Sequence, residues 1–156
     1  MASTRCRVRS TRRSARRLHR ASRAVPECGG WFRSGRTQLY AAREPFKHIW
    51  MRACGDLPED PELHRNLLAY VSDYELLGTA TLPHAIDFSS KPLLMASLDH
   101  AMWFHHEVRV DQWLLYMMDS TISTGGRGLS RGQVFTRDGV LVASTAQEGV
   151  IRIWKG

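Results

Sequence analysis

The stretch from Asp60 to Gly78, DPELHRNLLAYVSDYELLG, decides the fold class of this chain. It opens with a carboxylate, a proline and an acid in succession: Asp60, Pro61 and Glu62. Asp60 can cap the unpaired N–H groups of a first helical turn, Pro61 loses nothing at a position whose N–H has no helical partner, and Glu62 suits the first turn. From there Leu63, Leu67, Tyr70, Tyr74 and Leu77 recur at alternating intervals of four and three. That spacing predicts a helix with one apolar face over four turns, stopped at Gly78.

Beyond Pro83 the period changes from helical to alternating. Residues 93–104, 111–120, 128–136 and 140–153 read as strands, with turn chemistry at Gly125-Gly126 and Asp138-Gly139. Residues 46–54 alternate as an earlier strand. One helix followed by a run of antiparallel strands predicts an α+β domain with the helix packed on a sheet.

Three polar side chains sit inside stretches otherwise suited to burial: Asp73 after Ala69-Tyr70-Val71-Ser72, Ser97 after Ala96, and Gln147 after Ala146. Burying a polar group without a partner costs about 1–3 kcal/mol, and more for a carboxylate. Three in one small domain suggest a shared polar site. Asp73 has Ala69, Tyr70, Leu76 and Leu77 at i±3 and i±4, which predicts a carboxylate emerging from a buried face. Read singly, Asp73 serves equally well to bond a loop amide, and Ser97 and Gln147 are ordinary strand residues.

The blocks Ser97–His105 (SLDHAMWFH), Asp138–Ser144 (DGVLVAS) and Ala146–Arg152 (AQEGVIR) change that balance. Together with the context of Asp73 they resemble the C-terminal half of the type II acyl-CoA thioesterases, which include bacterial thioesterase II and peroxisomal acyl-CoA thioesterases. The resemblance runs from Phe46 to Ile153. It implies a hot-dog fold, in which a curved antiparallel sheet wraps one long helix. It also implies hydrolysis of fatty acyl-CoA to free fatty acid and coenzyme A by direct attack of water. The family's catalytic Asp, Ser or Thr, and Gln fall on Asp73, Ser97 and Gln147. In those roles Asp73 accepts a proton from water, Gln147 fixes the water's direction, and Ser97 holds the water or the carboxylate. No cofactor or metal is implied, since coenzyme A belongs to the substrate. The oxyanion donor stays open; a backbone N–H near the helix start or in a neighbouring strand is the usual solution.

Neighbouring residues read more plainly. On one continuous strand Asp99 shares a face with Ser97, while His100 lies on the other face, opposite to His105, so a metal site is disfavoured. Arg127 and Arg131, around Gly125-Gly126, fit a solvated hairpin tip better than a phosphate clamp. Cys6, Cys28 and Cys54 lack C-x-x-C spacing, which argues against a zinc ribbon or a disulfide framework, and Cys54 reads as an inert buried strand thiol.

The net charge of +7 is a property of the N-terminus. Residues 1–24 hold nine Arg and no acid, whereas the other 132 residues carry 13 basic and 15 acidic side chains. The domain therefore has no basic stripe for nucleic acid. Three regions follow: an Arg-rich disordered tail (1–24), a loop or linker (25–45) and the hot-dog domain (46–156). The tail also has the composition of a mitochondrial transit peptide; the family resemblance points instead to cytoplasm or peroxisome. No run of about 18 apolar residues predicts a membrane span. The family pairs two tandem hot-dog units, and only one is read here. Its partners are thus expected to be an acyl-CoA substrate and, through hot-dog edges, a second copy of the chain. The alternative is an inactive unit that serves as a partner subunit. Enoyl-CoA hydration, a third chemistry, calls for a histidine near Asp73 on the helix, where none stands.

Overall fold

The Asp60 carboxylate accepts the Glu62 N–H at 3.0 Å and starts helix α1 (Pro61–Ser72), with proline in its first turn. This is a computed structural model, and it describes residues 42–86 and 93–153. The Arg-rich tail and most of the linker lie outside the described residues. α1 ends before Gly78, at the pair Ser72-Asp73. Ser72 turns its hydroxyl back onto the Ala69 carbonyl at 2.7 Å, the local competition that makes serine and aspartate poor helix continuers. Glu75 then takes a left-handed φ of 69°, and the chain resumes as a 3-10 segment, Leu77–His84.

The buried face of α1 is one residue out of step with the expected one. His64, Leu68, Val71 and Ser72 face inward, Leu63 and Leu67 are half-buried, and Tyr70 and Tyr74 are 63% and 54% exposed. The pair Leu67-Leu68 let either stripe satisfy the spacing. The two tyrosines pack edge-to-face on one another outside, with ring centroids 5.6 Å apart.

The sheet is antiparallel throughout, in the order β1-β4-β5-β6-β2, with β3 also paired to β6. Its strands are β1 (Phe46–Met51), β2 (Leu93–Ser97), β3 (Ala101–Phe104), β4 (Leu114–Thr124), β5 (Arg127–Thr136) and β6 (Leu141–Ile153). The stretch read as one strand over 93–104 is two. β2 pairs with the far end of β6, and β3 with its nearer half. Between them the Leu98 and Asp99 N–H groups both point at the Glu148 carbonyl, at 2.9 and 3.4 Å. Asp99 returns its side-chain oxygen to the Glu148 N–H at 2.7 Å. That exchange bends the chain and breaks the alternation. Cys54, expected inside a strand, lies in a half-buried bend beyond β1.

Leu68, Val71 and Leu76 pack against Ile49, Met51, Val110, Leu114, Tyr116, Val134 and Val142, each contributing on the order of 1.5–3 kcal/mol if fully buried. The 3-10 segment lies hard against the sheet because glycine faces it. A Cβ on Gly149 would fall 2.3 Å from Leu77 Cδ2. Two polar ties fix the end of α1. The Tyr116 hydroxyl donates to the Ser72 carbonyl at 2.8 Å and meets Thr145 Oγ1 at 2.9 Å, and burial raises its pKa. Lys47 on β1 pairs with Glu75, while burial lowers the ammonium pKa to about 8.

A second clamp holds the loop that enters α1. Arg109 binds Asp111 twice, at 3.0 and 2.6 Å, and donates to the Leu57 carbonyl at 3.2 Å. Asp111 in turn accepts the Leu57 N–H at 3.3 Å. The Arg109 guanidinium holds the Asp111 carboxyl down at about 2, against an ordinary 3.8. A lowered folded-state pKa means the unfolded chain binds more protons in that window. The stabilisation is complete above pH ~4 and is lost as pH falls toward ~2. Asp111→Asn is expected to lower the melting temperature at neutral pH by several degrees, with the gap to wild type closing between these limits. A gap unchanged from pH 7 to pH 2 speaks against the clamp.

Candidate functional site

Three separate elements deliver the three polar residues to one place. Asp73 is the residue on which α1 ends, Ser97 closes β2, and Gln147 stands in the middle of β6. Gln147 Nε2 donates to Asp73 Oδ1 in a short contact and lies 3.0 Å from Ser97 Oγ. Ser97 Oγ donates to the same Asp73 oxygen at 3.3 Å. The expected cluster is therefore present as a hydrogen-bonded group.

Its burial differs from expectation. Gln147 is fully buried, but the Asp73 side chain is 58% exposed, because the stripe that faces the core passes through Val71 and Ser72 instead. Ser97 is likewise exposed. The site is thus an open carboxylate held from beneath by a buried amide. Both side-chain bonds end on Oδ1, and among the described residues none ends on Oδ2. A carboxylate oxygen in contact with solvent is what abstraction of a proton from water requires.

A fourth residue, His100, joins the group. Its Nδ1 lies 3.0 Å from Gln147 Nε2 and 3.9 Å from Asp73 Oδ1, and its Nε2 lies 2.8 Å from Ser72 Oγ. Strict alternation from Ser97 put this ring on the opposite face; the bend at Leu98-Asp99 turns it back. The aspartate, a residue depleted in strands and favoured in turns, was the signal for that bend. Asp99 itself caps backbone and His105 bonds Ser144 at 2.9 Å, so neither enters the site. Among the described residues no group of three or more His, Cys, Asp or Glu could hold a metal ion.

The two arginines read as a hairpin tip are committed to acids across the sheet. Arg131 lies within β5 and grips Asp119 at 3.0 and 2.8 Å, and Arg127 lies 3.7 Å from Glu148. Arg127 also lines a cleft of about 400 Å³ with His84, Leu93 and Ile151. A second, of about 380 Å³, lies by Phe46, Met117 and Gln133. Neither is lined by Asp73, Ser97 or Gln147.

Acyl-coenzyme A thioesterase 8 of Mus musculus is 50% identical over 118 residues, which span 75% of this chain and 36% of that protein. The chain thus covers about a third of that relative's length. A peroxisomal acyl-coenzyme A thioester hydrolase of Saccharomyces cerevisiae is 34% identical over 88 residues, 53% of this chain and 24% of that protein. Among solved structures, an acyl-CoA thioesterase II from Mycobacterium marinum superposes with a TM-score of 0.67 at 36% identity, covering 85% of this chain and 57% of that one. A protein with a hot-dog fold from Alicyclobacillus acidocaldarius gives 0.59 at 18% identity, over 80% and 47% of the two chains, a likeness of fold alone. The family model described as acyl-CoA thioesterase matches residues 33–150, which include all of the polar cluster. Architecture and sequence agree on one conclusion: the chain belongs to the acyl-CoA thioesterase family and carries its hot-dog fold.

Proposed function

We propose that this domain hydrolyses acyl-CoA thioesters by direct attack of water, with Asp73, Ser97 and Gln147 as its catalytic residues. One observation supports this above the others: Gln147 and Ser97 both donate to a single oxygen of an exposed carboxylate. Asp73 takes a proton from water, whose oxygen adds to the thioester carbonyl. The C–S bond then breaks, and the leaving thiolate takes the proton back from Asp73, giving a carboxylic acid, the thiol of coenzyme A and the regenerated carboxylate. The donors on Oδ1 orient the carboxylate, and Ser97 offers the water a second contact. Coenzyme A enters as part of the substrate, and the scheme uses no further cofactor. The test is release of free thiol from a panel of acyl-CoA esters of increasing chain length. Steady thiol release supports the reading. A folded, correctly assembled chain that releases none overturns it and favours the inactive partner subunit.

The same reading places the protein in the cytoplasm or the peroxisome, the latter supported by the compartment in the yeast relative's name. Among the described residues no helix is long and apolar enough to cross a membrane. The Arg-rich tail, on which a mitochondrial address would rest, lies outside them.

The functional unit in this proposal is a homodimer formed through the sheet edge. β2, β3 and the bend between them present Leu94, Leu98, Trp103 and Phe104 exposed, beside the end of β2 that carries Ser97. Exposed apolar edges favour pairing, and two-fold contact is the commonest closed assembly. Burial of about 1,000 Å² or more across that edge would suffice for a specific dimer, and the second copy would then lie beside the end of β2 that carries Ser97. Sedimentation is expected to give a dimer, with Trp103→Glu shifting it toward monomer and reducing turnover. A monomer that hydrolyses acyl-CoA at high dilution refutes the arrangement.

A further inference from the structure

We propose that His100 is a positioning residue: as the neutral Nε2–H tautomer, it fixes the side-chain amide of Gln147 in the orientation that serves Asp73. This inference rests on the hydrolytic reading of the site.

The protonation follows from counting donors. Ser72 Oγ lies 2.7 Å from the Ala69 carbonyl, which can only accept, so the single hydroxyl hydrogen goes there. Ser72 Oγ can then only accept from His100 Nε2 at 2.8 Å, so Nε2 carries a hydrogen. On the other side Gln147 Nε2, a donor without lone pairs to offer, stands 3.0 Å from His100 Nδ1, which must therefore be bare. The ring is neutral, with its proton on Nε2.

The same count explains why Gln147 benefits from a third partner. Its amide has two faces, and Oε1 is buried with no partner among the described residues. Turning the amide over would bring that oxygen against the Asp73 carboxylate, acceptor to acceptor. The orientation seen instead gives the two N–H groups three acceptors: Asp73 Oδ1, Ser97 Oγ and His100 Nδ1. The His100 side chain is 24% exposed against 58% for Asp73, and its ring is anchored through Ser72 to the last turn of α1. The imidazole therefore supplies the rigid acceptor. It also ties β6 to the helix terminus that presents Asp73. Protonation of Nδ1 would set N–H against N–H and remove that acceptor. The groups facing the ring are Asp73 and Ser72 at the end of α1 and Gln147 on β6.

Two amide substitutions separate the halves of the ring. Asparagine places an acceptor near the position of Nδ1 and can keep the Gln147 contact; glutamine reaches the position of Nε2 and keeps only the Ser72 contact. His100→Asn is expected to retain kcat within a few-fold. His100→Gln and His100→Ala are expected to lose about 10²-fold in kcat, the scale of an ångström's misplacement, with little change in KM. Equal activity of the Asn and Gln variants overturns the proposal. The ring is read independently of turnover by ¹⁵N NMR of the whole chain: the expected spectrum shows a protonated Nε2 and a bare Nδ1 whose shift moves in Gln147→Met. A protonated Nδ1, or an Nδ1 indifferent to that substitution, overturns it. If wild type released no thiol, the hydrolytic reading would fall while the spectrum still decided the contact. Should a variant fail to fold, the wild-type spectrum decides as well.

Discussion

Asp73→Asn is expected to lower kcat for acyl-CoA hydrolysis by about 10²–10⁴-fold, the loss typical of a removed general base, with the melting temperature within a few degrees of wild type. The two halves of this expectation have separate causes. The carboxylate is 58% exposed and lies at the end of α1, so the substitution opens no cavity and strands no buried charge. Asparagine also keeps a carbonyl oxygen able to accept from both Gln147 Nε2 and Ser97 Oγ. What it lacks is basicity, and only the step that removes a proton from water depends on that. Ser97→Ala is milder in the same scheme, because Gln147 still holds Oδ1. Thiol release and thermal melts on the same preparations check both halves. A folded Asn variant that hydrolyses at near wild-type rate would remove Asp73 from the mechanism.

The legible parts of this chain were those in which local chemistry and tertiary context agree. Asp60, Pro61 and Glu62 announced the start of α1 because capping is a local event, and Asp138-Gly139 marked the β5–β6 turn for the same reason. The hot-dog architecture and the convergence of Asp73, Ser97 and Gln147 came from the family resemblance. Periodicity reached only an α+β domain. The errors arose where neighbouring residues left two solutions open. Leu67 and Leu68 support stripes one position apart, and burial of Val71 selected the stripe that leaves both tyrosines outside. The end of α1 depended on Ser72, whose hydroxyl competes for a backbone carbonyl, while Gly78 looked the better stop. His100 was missed because period-two reasoning assumes an unbroken strand, whereas Asp99 binds the backbone of β6 and bends it. The exposure of Asp73 followed from these local choices rather than from composition.

Gln147→Met is expected to reduce turnover by about 10²–10³-fold, the scale of losing one preorganised donor, while leaving stability close to that of wild type. Methionine is unbranched and of similar length, so it fills the fully buried space on β6. The stability balance is unusual for a buried polar residue. Removing the amide costs its bonds to Asp73, Ser97 and His100. It also removes Oε1, a buried acceptor with no partner among the described residues and so a standing cost. Asp73 and Ser97, being exposed, recover bonds to water. Gln147→Ala keeps the chemical loss but adds a cavity, so it should melt lower than Gln147→Met with similar residual activity. The double variant Asp73→Asn/Gln147→Met tests whether the two residues act on one water. If they do, its rate stays within a few-fold of the slower single variant, because the second substitution removes help for a step already lost. Losses that multiply would assign the amide to a separate task, such as polarising the thioester carbonyl.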